Sequence, residues 1–377
     1  MKRGVIILLL MVLLAPAVTL AADEVVRVGV YLPLTGQMAF GGQLELEGVQ
    51  MAHKEAPTVL GKKVELLVVD NKSDKVEAAN AVRRLIDKEK VVAIIGTYGS
   101  SLAMAGGEVA EKAGVPMVGT SCTNPLVTQG KKYSFRVCFI DPYQGAGAAT
   151  YAYERLGLKT AALLVDISND YSVGLASFFT RSFQKMGGRV LDNLKYQAGD
   201  QDFTAQLTEI ISKKPDVLFI PSYFAEGAII MKQAKELGAR FRIMGGDAMD
   251  NPKIVEIGGN AVEGFVHTTF PYDPSMTDMN PVARRFTDNW RKAFPAKEPN
   301  VNAALGYDTY MLVLDAITRA GSPDKEKITQ AIAATRGFEG VTGSTTINAS
   351  HDAEKPVGLV VIKDGKKLYE GSITPQL

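Results

Sequence analysis

Small polar residues gather immediately behind apolar, valine-rich runs of this chain. Gly96-Thr97-Tyr98-Gly99-Ser100-Ser101 follows Val91–Ile95, and Gly119-Thr120-Ser121-Cys122-Thr123-Asn124-Pro125 follows Val115–Val118. Further along, Asp166 to Tyr171, Pro221-Ser222-Tyr223 and Gly245-Gly246-Asp247 occupy the same kind of position. Ser100 and Ser101 fall where a helix should begin, so a hydroxyl and free backbone N–H groups there can hold a carboxylate. Thr123 can do the same from the neighbouring loop. Asp247 is an acceptor suited to an ammonium, and Tyr171 and Tyr223 each offer a ring face and a hydroxyl. Singly, each has a blander role: Ser100 as a helix cap, Asp247 as a turn residue, the tyrosines as half-buried packing. Their common position at the ends of apolar runs is what favours a shared site for a zwitterion.

Signals for catalysis are weak. The three histidines, His53, His267 and His351, are far apart and lack metal-ligand spacing. Neither a G-x-S-x-G elbow nor a G-x-x-x-x-G-K-[ST] loop occurs. The expectation is a binding protein with no catalytic residue, no metal and no cofactor.

The elements that position these groups alternate. Strand-like runs at Val25–Leu32, Lys63–Val69, Val91–Ile95 and Val115–Val118 are separated by helical stretches, including Gln43–Glu55. After Asp141-Pro142 the rhythm restarts, with strands at Thr160–Val165, near Val190, at Val217–Ile220 and at Arg242–Met244. Helices at Gly145–Leu156, Tyr171–Met186, Phe203–Lys213 and Ala225–Leu237 lie between. This is the pattern of parallel sheets built from crossover units. Two runs of it predict an α/β protein of two doubly wound, Rossmann-like lobes. The texture changes near Phe270: prolines, then helices at Val282–Ala293, Asn302–Ala320 and Lys325–Ala334. A terminal hairpin around Asp364-Gly365 follows.

The first residues read as an export signal, residues 1–22: Lys2 and Arg3, an apolar run from Val5 to Leu14, then small residues to Thr19-Leu20-Ala21. The run is too short for a spanning helix, which needs about 20 residues. No cysteine stands at the cleavage point, so a free periplasmic protein without a lipid anchor is expected. Removing Lys2 and Arg3 takes the net charge from +1 to −1, which gives no electrostatic reason to bind nucleic acid. The 377 residues less 22 leave 355, more than one hydrophobic core accommodates. Cys122 and Cys138 form an even pair, a candidate disulfide in an oxidising compartment. Such a bridge would contribute roughly 3 kcal/mol in the chain-entropy model; two buried thiols are the alternative.

The whole mature chain resembles the type I periplasmic binding proteins, in particular the leucine/isoleucine/valine-binding family of ABC transporters. The resemblance rests on the order and spacing of several motifs. They are Val28-Gly29-Val30-Tyr31-Leu32-Pro33-Leu34-Thr35-Gly36 with Gly41 and Gly48, Asp70-Asn71, Ile94-Ile95-Gly96 with Ser100-Ser101, and Val115-Pro116 before Thr123-Asn124-Pro125. Tyr133-Ser134-Phe135-Arg136 ahead of Asp141 and Gln144-Gly145, and Asp202-Phe203 before Asp216-Val217, complete it.

The resemblance implies three crossings between the lobes, near 140–143, 269–273 and 355–358. Residues 24–141 plus 273–356 would form one lobe, and 142–272 plus 357–377 the other. It implies that Ser100 and Thr123 hold a ligand carboxylate, and that the Ser121 carbonyl and Asp247 hold the ammonium. Tyr171 and Tyr223 would contribute from the second lobe, while Phe40, Tyr98, Gly99 and Phe270 would shape the side-chain pocket. Two departures stand out. Asp247 occupies a position that often carries glutamate, and the family's disulfide positions correspond here to Ser73 and Gly99. The implied function is capture of an amino acid, branched-chain or related, for an inner-membrane ABC permease, by a monomer. A receptor for a short amide or other small solute, and a sensory ligand-binding module, are the alternatives.

Overall fold

The computed structural model describes residues 25–375, so the expected export signal lies outside the described residues. The first half of the chain forms β1 (Val26–Leu32), α1 (Ala39–Glu55), β2 (Thr58–Val59), β3 (Lys62–Asp70), α2 (Lys75–Asp87) and β4 (Ala93–Ile95). It continues through α3 (Ser100–Ala113), β5 (Met117–Gly119) and β6 (Ser134–Arg136). These strands make one sheet in the order β2-β3-β1-β4-β5-β6, parallel except for the short β2–β3 hairpin. β6 is three residues long, which is why the Ser134-Phe135-Arg136 segment carries no periodic signal.

The next segment runs through α4 (Asp141–Thr150), a π-helical turn at Tyr151–Arg155, β7 (Thr160–Asp166), α5 (Asp170–Lys185), β8 (Arg189–Tyr196) and α6 (Thr204–Lys213). Then come β9 (Val217–Ile220), α7 (Phe224–Glu236), β10 (Arg242–Gly245), α8 (Lys253–Gly258) and β11 (Val266–Thr269). The chain goes on to α9 (Pro281–Ala293), α10 (Val301–Ala320), α11 (Lys325–Ala333) and the β12–β13 hairpin (Phe338–Gly340, Gly343–Thr345). Finally β14 (Val357–Lys363) and β15 (Lys366–Ile373) join the second sheet, ordered β15-β14-β11-β10-β9-β7-β8. β14 lies antiparallel to β11, so the terminal hairpin read from the sequence caps an otherwise parallel sheet.

The texture change after Phe270 marks a return to the first sheet. One continuous core joins β1 residues Val26, Val28 and Val30 to Phe286, Trp290, Tyr307 and Tyr310 of α9 and α10. α10 packs on α1 at very close range. A Cβ on Gly48 would lie 1.8 Å from the Ala303 carbonyl oxygen, and one on Gly306 would lie 2.1 Å from that of Glu45. The second sheet has apolar cores on both faces, one around Phe179, Phe183 and Phe219, the other around Phe203, Leu218 and Met231. Buried on both sides, its inner strands β7 and β9 read as unbroken apolar runs, whereas the edge strands β8 and β15 carry exposed polar residues.

Strand order fixes where a ligand can lie. In the first sheet β1 is flanked by β3 and β4, and in the second β7 is flanked by β8 and β9. Each arrangement reverses the direction of winding, and loops leaving the carboxyl ends of the strands diverge there to leave a crevice. The polar segments following β4, β7 and β9 sit at these points.

Candidate functional site

On the first wall, β4 ends at Ile95 and α3 begins at Ser100, with Gly99 at its N-cap. Gly99 has φ +93, and a Cβ there would lie 3.3 Å from Tyr223 Oη, so glycine serves both backbone and space. Ser100 therefore does not cap its helix. Its Oγ accepts from the Asn124 backbone N–H at 3.1 Å, tying the start of α3 to the loop after β5. The hydroxyl hydrogen stays free to donate, alongside the unpaired N–H groups of the first helical turn.

The β5 loop is held by buried charges that the sequence reading overlooked. Arg136, fully buried, donates from Nη1 to the carbonyls of Cys122 (2.5 Å) and Asn124 (2.9 Å) and from Nη2 to that of Pro125 (3.3 Å). Its Nη2 also donates to Thr128 Oγ1 at 2.7 Å, and its Nε lies 2.8 Å from Asp352 Oδ1. Glu45 of α1, also fully buried, accepts from Thr120 Oγ1 at 2.6 Å and from Ser121 Oγ. Burial pushes the Glu45 carboxyl up to about 8, against the two hydroxyl hydrogen bonds that lower it. Between Ser121 and Thr123 sits Cys122, a buried free thiol hydrogen-bonded with the buried thiol of Cys138. That bond lowers the Cys122 pKa. Thr123 Oγ1 is buried beside the buried Asp141 carboxyl, whose burial-raised pKa its hydroxyl helps to lower.

The second wall is organised around Asp247, which follows β10 in a short 3-10 turn. Tyr171, the second residue of α5, donates its hydroxyl to Asp247 Oδ1 at 2.9 Å. The Asp247 backbone N–H donates to Gln144 Oε1 at 2.8 Å, and Gln144 also receives Thr268 Oγ1 at 2.8 Å. Gln144 lies on α4, at the first passage between the sheets. A Cβ on Gly246 would stand 2.2 Å from Tyr171 Oη and 2.7 Å from Gln144 Oε1, so this knot requires glycine. Burial raises the Asp247 carboxyl to about 6, opposed by the Tyr171 and Gln144 hydrogen bonds. Among the described residues it has no ion-pair partner.

Aromatic rings bridge the two walls. The Tyr98 ring lies 5.7 Å from that of Tyr223, which lies 5.7 Å from that of Tyr171. Tyr98 and Tyr171 are buried and Tyr223 is half-buried, and desolvation holds all three hydroxyls well above the usual tyrosine range, so they stay protonated donors. Phe40, at the start of α1, is half-buried. It meets Phe224 at 6.0 Å, with Lys253 Nζ 5.2 Å above its ring. Phe270 stacks on Phe139 at 4.2 Å in the core of the first sheet.

Of the residues singled out from sequence, Tyr98, Gly99, Ser100, Ser121 and Thr123 come together on one wall, and Tyr171, Tyr223 and Asp247 on the other. Phe40 contacts the second wall through Phe224. The sequence reading missed Glu45, Arg136 as the anchor of the β5 loop, and Gln144. Glu45 did leave a signal: a carboxylate on the face of α1 that buries Gly41, Gly42, Gly48 and Val49. No group of histidine, cysteine, aspartate and glutamate suited to a metal ion occurs among the described residues, and no described helix is long and apolar enough to cross a membrane.

A periplasmic binding protein family model matches residues 25–367. The chain is 47% identical to a leucine-binding protein, LivK, from Thermotoga maritima, with a TM-score of 0.90 over 93% of this chain and 99% of that one. It is 30% identical to the branched-chain amino acid substrate-binding protein LivJ of Streptococcus pneumoniae, solved with isoleucine, with a TM-score of 0.87 over 93% and 100% of the two chains. It is 28% identical over 341 residues to a leucine-, isoleucine-, valine-, threonine- and alanine-binding protein of Pseudomonas aeruginosa, covering 89% of this chain and 88% of the relative. Two mostly parallel sheets, a polar crevice at their carboxyl edges and similarity along nearly the whole length agree: the chain belongs to the periplasmic binding protein family, with the type I fold.

Proposed function

We propose that this chain is the periplasmic solute receptor of an ABC importer, and that its ligand is an amino acid with an aliphatic or related side chain. The observation that carries this reading is the division of chemistry between the two walls. One offers a helix N-terminus with the Ser100 and Thr123 hydroxyls, suited to a carboxylate. The other offers Asp247, a buried acid without a cation, suited to an ammonium. The family relatives named for leucine, isoleucine and valine point to the same class. Residues 1–22 act as an export signal without a lipid anchor, and the loaded monomer docks on an inner-membrane permease.

In this reading the lobes comprise 24–141 plus 273–356, and 142–272 plus 357–377. The cores support the division away from the crossings, since Phe286, Trp290 and Ile317 pack with β1 while Leu359 and Ile362 pack with the second sheet; Phe270, Tyr272 and Val357, beside the crossings, pack with the first core. Cys122 and Cys138 are free thiols in this structure, but their hydrogen-bond contact supports the reading that they are joined on export. Thiol alkylation with intact-mass analysis of periplasmic material would return two free thiols if they are not.

Isothermal titration against leucine, isoleucine, valine, threonine, alanine, small amides and aromatic carboxylates tests the ligand class. Saturable binding of an aliphatic amino acid, lost for its amide and for its deaminated acid, is expected. Binding of an aromatic or aliphatic acid that lacks an ammonium, with no amino acid bound, would overturn the reading.

A further inference from the structure

Asp170 opens α5 on the second wall, and three side chains of the first wall converge on it. Ser101 Oγ donates to Asp170 Oδ2 at 2.8 Å and accepts from the Asp170 backbone N–H at 3.0 Å. Asn124 Nδ2 donates to the Asp170 carbonyl oxygen at 2.8 Å. Lys75 Nζ lies 3.4 Å from Oδ2. One turn along α5, a Cβ on Gly174 would come within 2.8 Å of Asn124 Nδ2. Any side chain there would hold the two walls apart.

These contacts differ in weight. Lys75 and Asp170 are about half exposed, at 54% and 45% of their side-chain surface, so their ion pair contributes little. Ser101 and Asn124 are each 5% exposed, so their part-buried bonds to Asp170 are better shielded from competing water than the Lys75 pair. The Ser101–Asp170 pair is reciprocal, one hydroxyl satisfying both a carboxylate and a helix-terminal N–H. Hydrogen bonds weaken steeply beyond about 3.2 Å, so a small separation of the walls breaks all three bonds together.

Ser101 and Asn124 are sequence neighbours of Ser100 and Thr123, and Asp170 is the neighbour of Tyr171. These hydrogen bonds across the cleft are thus made by residues adjacent to those aimed at a ligand, but different from them. We propose that Asp170 is the hub of a closure latch, a positioning residue that sets how long the cleft stays shut and adds to affinity without touching the solute. The proposal rests on reading the cleft as a ligand clamp, but not on the identity of the ligand. Bonds made only when the walls meet stabilise the closed state and leave the open state unchanged. They should therefore slow ligand release far more than they speed capture.

Two measurements test it. In the first, stopped-flow kinetics compare the full chain with Asp170→Ala, Ser101→Ala, the double variant and Asp170→Asn, using the tightest ligand of the titration. Expected are a roughly tenfold faster release for each alanine variant, capture rates within about twofold, and non-additivity in the double variant. Asp170→Asn keeps an oxygen that can accept from Ser101, so partial recovery is expected. In the second, the distance distribution between one spin label on α2 and one on α6 is recorded without any ligand. Asp170→Ala should raise the open fraction at an unchanged thermal midpoint. Release rates and distances like those of the unmodified chain would overturn the latch, as would losses explained by a lowered midpoint. If no amino acid binds, the proposed ligand class fails while the distance measurement still decides the latch.

Discussion

Tyr171 donates its hydroxyl to Asp247 Oδ1 at 2.9 Å, and the same hydroxyl lies 3.4 Å from the Ala248 backbone N–H, which donates to it. The tyrosine thus receives from the turn and gives to the acid, fixing the carboxylate while leaving Oδ2 uncommitted. Because burial raises the Asp247 carboxyl to about 6, its ionisation is finely balanced. The Tyr171 bond is a main influence pulling it back down.

That balance predicts a pH dependence of binding. An ammonium needs the ionised acid, so affinity should be flat above about pH 6 and fall as pH drops through that value, by up to tenfold per unit. Tyr171→Phe removes a lowering influence and should move the acid limb to higher pH. Titration calorimetry between pH 5 and 8 checks this. A limb unmoved by Tyr171→Phe would show that another group controls it.

The two walls should respond unequally to truncation. Asp247→Ala leaves a desolvated ammonium without a partner, which typically costs about 3–5 kcal/mol, so affinity should fall at least about a hundredfold. Thr123→Ala removes one hydroxyl but spares the backbone donors of α3. Its loss should be smaller, about 1.5–3 kcal/mol. Near-unchanged affinity for Asp247→Ala would mean that no ammonium is bound there.

Much of this architecture is legible in the sequence because each level repeats the same message. Apolar runs alternate with amphipathic stretches, and the polar residues behind them mark strand ends. Tyr171, Tyr223 and Asp247 stand out this way, from position rather than from any single motif. Lengths were less legible: α1 begins at Ala39, before the Gln43 expected, because Gly41 and Gly42 lower local helix propensity while packing closely against Tyr98 and Pro33. Strands β6 and β11 lack a strand-like signal of their own, being short segments that pair with strands already in place. Glu45, Arg136 and Gln144 escaped because their roles depend on partners distant in sequence. Arg136 meets Asp352 across more than two hundred residues.

Glu45 should leave a signature in stability. Its carboxyl stands at about 8 in the folded chain against an ordinary 4.5, so the folded state holds a proton that the unfolded state releases. Below pH 4.5 both states are protonated and nothing is lost. As pH rises from 4.5 toward 8 the unfolded state gains relative stability, by a few kcal/mol at roughly 1.4 kcal/mol per unit. Glu45→Gln keeps one acceptor oxygen and sets an amide N–H donor against the other hydroxyl, but it cannot ionise, so it should flatten this part of the profile. Urea unfolding of both proteins from pH 4.5 to 8 measures the difference, and parallel profiles would rule out the assigned proton.

Arg136 offers the sharpest separation of folding from binding. Its guanidinium holds three carbonyls, the Thr128 hydroxyl and the Asp352 carboxylate, and thereby shapes the loop that carries Ser121 and Thr123. Arg136→Met should destabilise the fold by about 3–5 kcal/mol, because Asp352 would remain buried without its partner. Arg136→Lys keeps the charge beside Asp352 but replaces a planar fork with a single donor centre that cannot span all the acceptors. Much of the stability should return in the lysine variant, whereas the loop should lose its fixed path. Ligand affinity should therefore remain depressed in Arg136→Lys at temperatures where the variant is fully folded. Denaturation curves paired with titration calorimetry separate the two effects. Full recovery of affinity in Arg136→Lys would mean that charge alone, rather than the fork, orders the binding loop.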